Sequence, residues 1–526
     1  MADSEISRVA VLGRVDDFPA SGLREVEVDG QTILLVKRGD EVSAIQGICP
    51  HAGASLAAGV LDGERVICPW HKAAFSVRTG ACVAPPAVDD LKAFDIEIVD
   101  GDIVLGRARA PETLEKAATD ARCFAIVGAG GAGFAAAQTL RAEGFGGRVV
   151  LIDATGDLPY DRTILSKYVL AGKKAGEKSP LQDEEFYERH GIERVAALVT
   201  GLDARAKRIV FADGATLDYD AALVATGGAA RPLDVPGGDL ANVFVLRSRE
   251  DAERIVAAAA GAKRCVVIGA SFIGMEAAAG LRQRGLDVTV VGQESAPFDK
   301  QLGADVGNVY RKIHEEQGVK FRLGEKVGGL MGEGAVRAVR LAGGDEIAAD
   351  LVVAGLGIVP ATDFVTGAER GADNGLLVDA RLRAADELYA AGDVAAFPLR
   401  GDGETIRVEH WRVAEQHGRV AALNMLGRDV VYDSVPVFWT IQYMKRLDYV
   451  GHASSKDDVL VRGDLGKQEF IAYYLRDGLV AAAAGMNRDQ DMAAIIALME
   501  AERNWLVEDL HPEGTSPVAV LTARQG

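Results

Sequence analysis

Two stretches of the sequence repeat one design. RCFAIVGAGGAGFAAAQTLRAEGFGGRVVLID, from Arg122, and RCVVIGASFIGMEAAAGLRQRGLDVTVVG, from Arg264, each read as apolar strand, glycine-rich turn, helix of small residues and second apolar strand. Such a βαβ unit commits its part of the chain to a parallel sheet covered by helices. The copies lie too far apart for a solenoid repeat, so they are read as two separate dinucleotide-binding domains. A chain of 526 residues has room for them and more, because single cores stop growing well below that length.

The turn Gly128-Ala129-Gly130-Gly131-Ala132-Gly133 fits GxGxxG in its required context between strand and helix. Gly128 permits the turn, Gly130 lets backbone N–H groups approach a pyrophosphate, and Gly133 lets helix and strand pack closely. Asp153 follows Gly133 by 20 residues and is placed to accept a hydrogen bond from a ribose hydroxyl. In the second turn, Gly269 to Gly274, Ser271 replaces the middle glycine. The position matching Asp153 is Gly292, followed by Gln293, Glu294 and Ser295. No arginine stands there for a 2′-phosphate and Glu294 is available for ribose hydroxyls, so NADH is favoured over NADPH.

Ahead of these units the chain reads as β structure, with strands punctuated by DG and GD turns and DIEIVDGDIVLG as the last strand, ending near Gly106. Within it lies CPHAGASLAAGVLDGERVICPWH. Cys49 and His51 form one pair, Cys68 and His71 another, with 16 residues between the pairs. Each loop supplies one thiolate and one imidazole, and two such loops can face each other across one cofactor. The pattern resembles the Rieske motif, in which the thiolates hold one iron of a [2Fe–2S] cluster and the imidazoles the other. A tetrahedral Cys₂His₂ zinc site is the rival, although zinc fingers group their cysteines and their histidines. Rieske proteins of respiratory complexes add a cross-linking cysteine to each loop. Here Cys82 stands alone, so the domain is similar to the ferredoxin-type class, with a potential expected near the low end of the range of about −150 to +300 mV.

A net charge of −19 and the lack of any Lys/Arg run argue against nucleic acid. An acidic face for a basic redox partner is the sharper reading of that charge, solubility the plainer one. Five cysteines make no disulfide framework. No secretory signal and no apolar run long enough to span a membrane are visible, which makes a cytoplasmic location the default expectation. Cys123 and Cys265 sit on first strands of the βαβ units and are read as core.

ALVATGGAARP, with Ala225, Thr226 and Gly227, resembles the strand that crosses between domains in flavin reductases, and LYAAGDVAAF, with Gly392 and Asp393, resembles their second FAD motif. With LPYDRTILSK, GASFIGME, GLGIVPATDF and the VEHW segment in the same order, nearly the whole chain resembles the apoptosis-inducing-factor-like flavoproteins that carry a Rieske domain. Their reductase part is similar to ferredoxin reductases of bacterial oxygenase systems.

The resemblance implies a multidomain chain: an all-β Rieske domain over 1–106, a linker over 107–120, an FAD-binding domain over 121–240 and 361–432, an NAD-binding domain over 241–360, and a C-terminal α+β reductase domain over 433–526, through which this fold often forms homodimers. It implies that Lys167 lies near the flavin N5 and pairs with Glu276, that Glu409 and His410 border the nicotinamide, and that Trp439 covers the flavin. Arg162 and Gly357 belong to its cofactor-binding segments. No redox cysteine pair follows the first βαβ unit, so electrons must leave the flavin by another route. The expected activity is hydride transfer from NADH to FAD, then single electrons to the cluster and to an oxygenase component or a cytochrome. A redox-sensing flavoprotein and an NADH oxidase are the alternatives.

Overall fold

The computed structural model describes residues 10–109, 119–173, 180–400, 403–501 and 515–525. Most of the expected linker, 107–120, and the first nine residues lie outside them.

The N-terminal region forms a six-stranded antiparallel sheet in the order Ala10–Arg14, Asp102–Ala108, Ala93–Val99, Glu41–Gln46, Gln31–Arg38, Leu23–Val28. The strands Leu23–Val28 and Gln31–Arg38 meet at Asp29-Gly30, both at positive φ, a turn whose twist matches that of the strands. Asp100-Gly101 does the same between Ala93–Val99 and Asp102–Ala108. DIEIVDGDIVLG is therefore a hairpin and not one strand, because its own DG pair reverses the chain, and the second arm runs on past Gly106. A smaller sheet of Val60–Asp62, Arg65–Ile67, Ala74–Ser76 and Cys82–Ala84 carries one of the two Cys/His loops.

Both βαβ units form as read. Cys123–Val127, helix Gly131–Ala142 and Arg148–Asp153 build the centre of one sheet, joined by Ala221–Val224 and Leu388–Ala390 in parallel. The strands of this sheet come from both sides of the second unit in sequence. That unit, Arg264–Ile268, helix Phe272–Gln283 and Asp287–Gly292, has its own five-stranded parallel sheet. The central strands of both sheets are apolar and buried along most of their length, as sheets covered on both faces demand. The helix Trp411–Met425 lies so close on Gly131–Ala142 that a Cβ at Gly418 would sit 2.1 Å from the Ala132 carbonyl oxygen.

The C-terminal region is a five-stranded antiparallel sheet backed by the helix Asp489–Ala501. Its apolar face continues into the N-terminal region: Val60, Ile67, Ala74 and Ala84 share one buried cluster with Val437, Val450 and Ile495. Burying each of the larger of these contributes about 1.5–3 kcal/mol. The helix Trp411–Met425 holds the N-terminal region as well, Arg412 donating to the Pro85 carbonyl at 2.9 Å and Arg419 to that of Cys82 at 2.6 Å. Among the described residues no helix is long and apolar enough to cross a membrane.

Candidate functional site

The two Cys/His loops come together. Each is closed at its base by its own backbone: Cys49 N–H donates to the Ala54 carbonyl and Cys68 N–H to that of Ala73, both at 2.8 Å. Both cysteines are buried, and their sulfurs interact. That contact brings Cys68 down to about 7, and the same contact together with burial pushes Cys49 up. The His51 and His71 Nδ1 atoms face each other at 3.1 Å, and burial holds both imidazoles below their ordinary range. Two neutral ring nitrogens turned on each other at that distance suit two ligands of one metal ion. Among the described residues no three His, Cys, Asp or Glu side chains gather where a single ion could be held. A sulfur pair and a nitrogen pair are instead the donor set that suits two irons bridged by sulfide.

The glycine turns and the reductase-like segments border a cavity of about 690 Å³. Gly128, Gly130 and Asp153 form one wall. Gly128 has φ +107°, and a Cβ there would meet the Ala225 carbonyl oxygen at 2.3 Å. Gly133 does not line the cavity. A Cβ on it would lie 1.8 Å from the Gly128 oxygen, so it sets the helix against the strand. Space beside Gly130 and beside Gly357 is open, and the helix Gly131–Ala142 points its free N–H groups at it, which is the arrangement an anion needs. Asp153 accepts from Ala129 N–H at 3.3 Å and from Thr155, which fixes its carboxylate at the cavity edge.

Ala225, Thr226, Gly227, Gly392 and Asp393 line the same space. Thr226 Oγ1 donates to the Ala361 carbonyl at 2.7 Å, tying the crossing strand to its neighbour. Asp393 pairs with Arg247 at 2.7 Å, and Arg407 pairs with Glu409 at 3.0 Å while donating to the Asp393 carbonyl. Burial raises Glu409, with Asp393 adding to it. His410 packs on Phe438, and burial lowers it to about 4, so its ring is neutral.

Arg162 and Lys167 line the cavity as well. Lys167 rides on a π-helical turn, Leu165–Val169, a distortion that often marks functional positions. Its Nζ lies 3.2 Å from Glu276 Oε1. Glu276, from the second βαβ helix, also accepts from Thr440 Oγ1 at 2.7 Å and from the Ser166 hydroxyl. Ser271 lines the cavity too. Its departure from glycine has a structural reason: the hydroxyl caps the helix Phe272–Gln283, accepting from Gly274 N–H, and donates to the Gly355 carbonyl at 2.8 Å. Gly269 and Gly274 serve packing, as Gly133 does. Glu294 lies outside the cavity wall, its carboxylate beside Gly292.

Trp439 joins the two places. It lines the cavity, is 9% exposed, and its ring centroid is 4.6 Å from that of His71. Sequence reading did not find Arg247, Arg407, Trp411 or Phe438, all on the cavity wall. None belongs to a glycine turn or to a quoted segment except Trp411, the last residue of VEHW, which went unassigned.

Three family models match the chain: the Rieske [2Fe-2S] domain over residues 8–95, the pyridine nucleotide-disulphide oxidoreductase over 123–418, and the reductase C-terminal over 437–516. The chain is 37% identical to "Apoptosis-inducing factor 3" of Homo sapiens over 513 residues, covering 94% of this chain and 84% of that one. It is 34% identical to "Rhodocoxin reductase" of Rhodococcus erythropolis, covering 72% of this chain and 89% of that one. Among solved structures it is similar to the covalent putidaredoxin reductase–putidaredoxin complex, with a TM-score of 0.72 at 30% identity, covering 77% of this chain and 99% of that chain.

Proposed function

The chain belongs to the pyridine nucleotide-disulphide oxidoreductase family, and from that premise we propose that it moves electrons from NADH to its own Rieske site and on to a separate acceptor protein. It is an FAD-dependent oxidoreductase with a Rieske [2Fe-2S] domain. FAD and the cluster, when bound, supply acceptance of an electron pair from NADH and its release as single electrons.

The chain's own residues do the positioning. N–H groups at the start of the helix Gly131–Ala142 hold a pyrophosphate, with Asp153 accepting from a ribose hydroxyl. Asp393, held by Arg247 at the cavity wall, would accept hydrogen bonds from the ribityl chain of FAD. Lys167, oriented by Glu276, sets a fixed cation where negative charge develops on reduction. Glu409 and the neutral ring of His410 would border the nicotinamide, and the start of the second helix, capped by Ser271, would take the phosphates of NADH. Cys49, Cys68, His51 and His71 hold the cluster.

The observation that carries this reading is the contact of His71 with Trp439, a residue of the cavity wall. One side chain separates the two sites, so no domain movement is needed between them. The names of several relatives, such as "Biphenyl dioxygenase system ferredoxin--NAD(+) reductase component", favour an oxygenase component as the final acceptor. Trp439→Leu tests the passage in anaerobic stopped flow. NADH should still bleach the flavin, while cluster reduction slows about tenfold or more, the scale expected when a reacting pair loses its fixed geometry. An unchanged rate of cluster reduction would remove Trp439 from the route.

A further inference from the structure

We propose that Lys72, through its ion pair with Asp448, is the positioning residue that seats the Cys68–His71 loop against Trp439; this rests on the electron route proposed above. Lys72 directly follows His71 and has φ +64°, a backbone conformation that residues other than glycine adopt rarely. Its side chain is 1% exposed, and its Nζ lies 2.7 Å from Asp448 Oδ2, itself 3% exposed. The same ammonium donates to the Pro69 and Trp70 carbonyls of its own loop and, at 3.2 Å, to the carbonyl of Asp489. One cation thus stitches the ligand loop to the strand Lys445–Gly451 and to the start of the helix Asp489–Ala501.

The anchor point is specific. Asp448 is the cross-strand partner of Trp439 in the antiparallel register. His71 and Trp439 are therefore each one step from opposite ends of a single buried ion pair. Arg446 braces Asp448 Oδ1 at 3.3 Å and also pairs with Asp489, and Arg412 donates to the Lys72 carbonyl at 3.3 Å.

Adhesion alone does not call for such a pair. Two charges taken out of water gain little over an apolar pair of similar volume, and the shared apolar cluster already holds the two regions together. A directional ion pair does what an apolar contact cannot: it fixes register and orientation, the best-attested use of buried charge. Its place in this chain is to hold one ligand imidazole against the cavity wall.

The test uses the full-length holoprotein with Lys72→Met/Asp448→Leu and, for rescue, Lys72→Arg. Dithionite-reduced EPR reports cluster loading, and amide hydrogen exchange over residues 68–76 reports how firmly the loop is held. Anaerobic stopped flow with NADH times flavin bleaching and cluster reduction separately. The double variant should fold, load its cluster and bleach its flavin at the wild-type rate. Its loop exchange should rise, and cluster reduction should fall about tenfold or more, with Lys72→Arg recovering most of both. Wild-type exchange or a wild-type rate of cluster reduction in the double variant would overturn the proposal, as would its failure to fold, since the pair would then be adhesive. Should NADH fail to reduce the cluster in the unmutated protein, the electron route falls, while loop exchange still judges the clamp.

Discussion

Glu276→Ala takes the anion from a buried pair and leaves an ammonium facing its place. Glu276 is 2% exposed and the Lys167 side chain 8%, with Nζ and Oε1 3.2 Å apart. At an effective dielectric of about 20, two unit charges at that separation attract by about 5 kcal/mol. Desolvation offsets most of this while the pair is intact, so the loss appears when one partner goes, at about 3–5 kcal/mol. Glu276→Gln isolates the charge. It keeps the size of the side chain, and the Ser166 and Thr440 hydroxyls can turn to meet an amide. Combining it with Lys167→Met in a double-mutant cycle should give a coupling of about 2–3 kcal/mol. The assay is urea unfolding of the holoprotein followed by the fluorescence of released flavin. Coupling below about 0.5 kcal/mol, that is, additive losses, would refute the idea that the two side chains act as one unit.

Gly133→Ala puts a methyl 1.8 Å from the Gly128 oxygen, which forces strand and helix apart; the variant should purify with little FAD, and a full flavin complement by absorbance would contradict that. His314 and His417 are wholly buried, and burial holds them to about 4 and about 3. Their unfolded value is about 6.5, so the unfolded chain binds these protons first. Stability is then full above pH 6.5 and falls toward pH 4 by on the order of 3 kcal/mol per histidine. In urea titrations at neutral pH and at about pH 5, His314→Gln should lose less stability on acidification than the wild type; equal losses would count against this.

The two nucleotide-binding units were legible because a strand, a glycine turn and a helix must occur in that order for a pyrophosphate to be held. The Cys/His loops were legible because ligand spacing survives any detail of the surrounding sheet. Ser271 read as a defect in the second fingerprint only because a sequence pattern does not show that a helix cap and a hydrogen bond to Gly355 can occupy the same position. Glu294, chosen because it follows Gly292 at the position matching Asp153, lies off the cavity wall. DIEIVDGDIVLG was misjudged because alternation of apolar residues outweighed its DG turn. Lys72, Asp448 and Arg247 left no trace in the sequence. Lys72 and Asp448 lie 376 residues apart and Arg247 and Asp393 146, and a long-range ion pair has no local signature.

The docking of the N-terminal region also follows from side chains that look ordinary in sequence. Arg65–Ile67 and Ala74–Ser76 are short strands like many others, and only the fold shows that Ile67 and Ala74 share one buried cluster with Val437 and Val450.

The most direct measurement adds NADH, without air, to purified protein whose iron and acid-labile sulfide have been assayed. Flavin absorbance should bleach first, and a rhombic EPR signal with an average g below the free-electron value should then grow in the same sample. A fully bleached flavin with an intact but oxidised cluster, or protein that holds zinc in place of iron and sulfide, would contradict transfer between two redox sites in one chain.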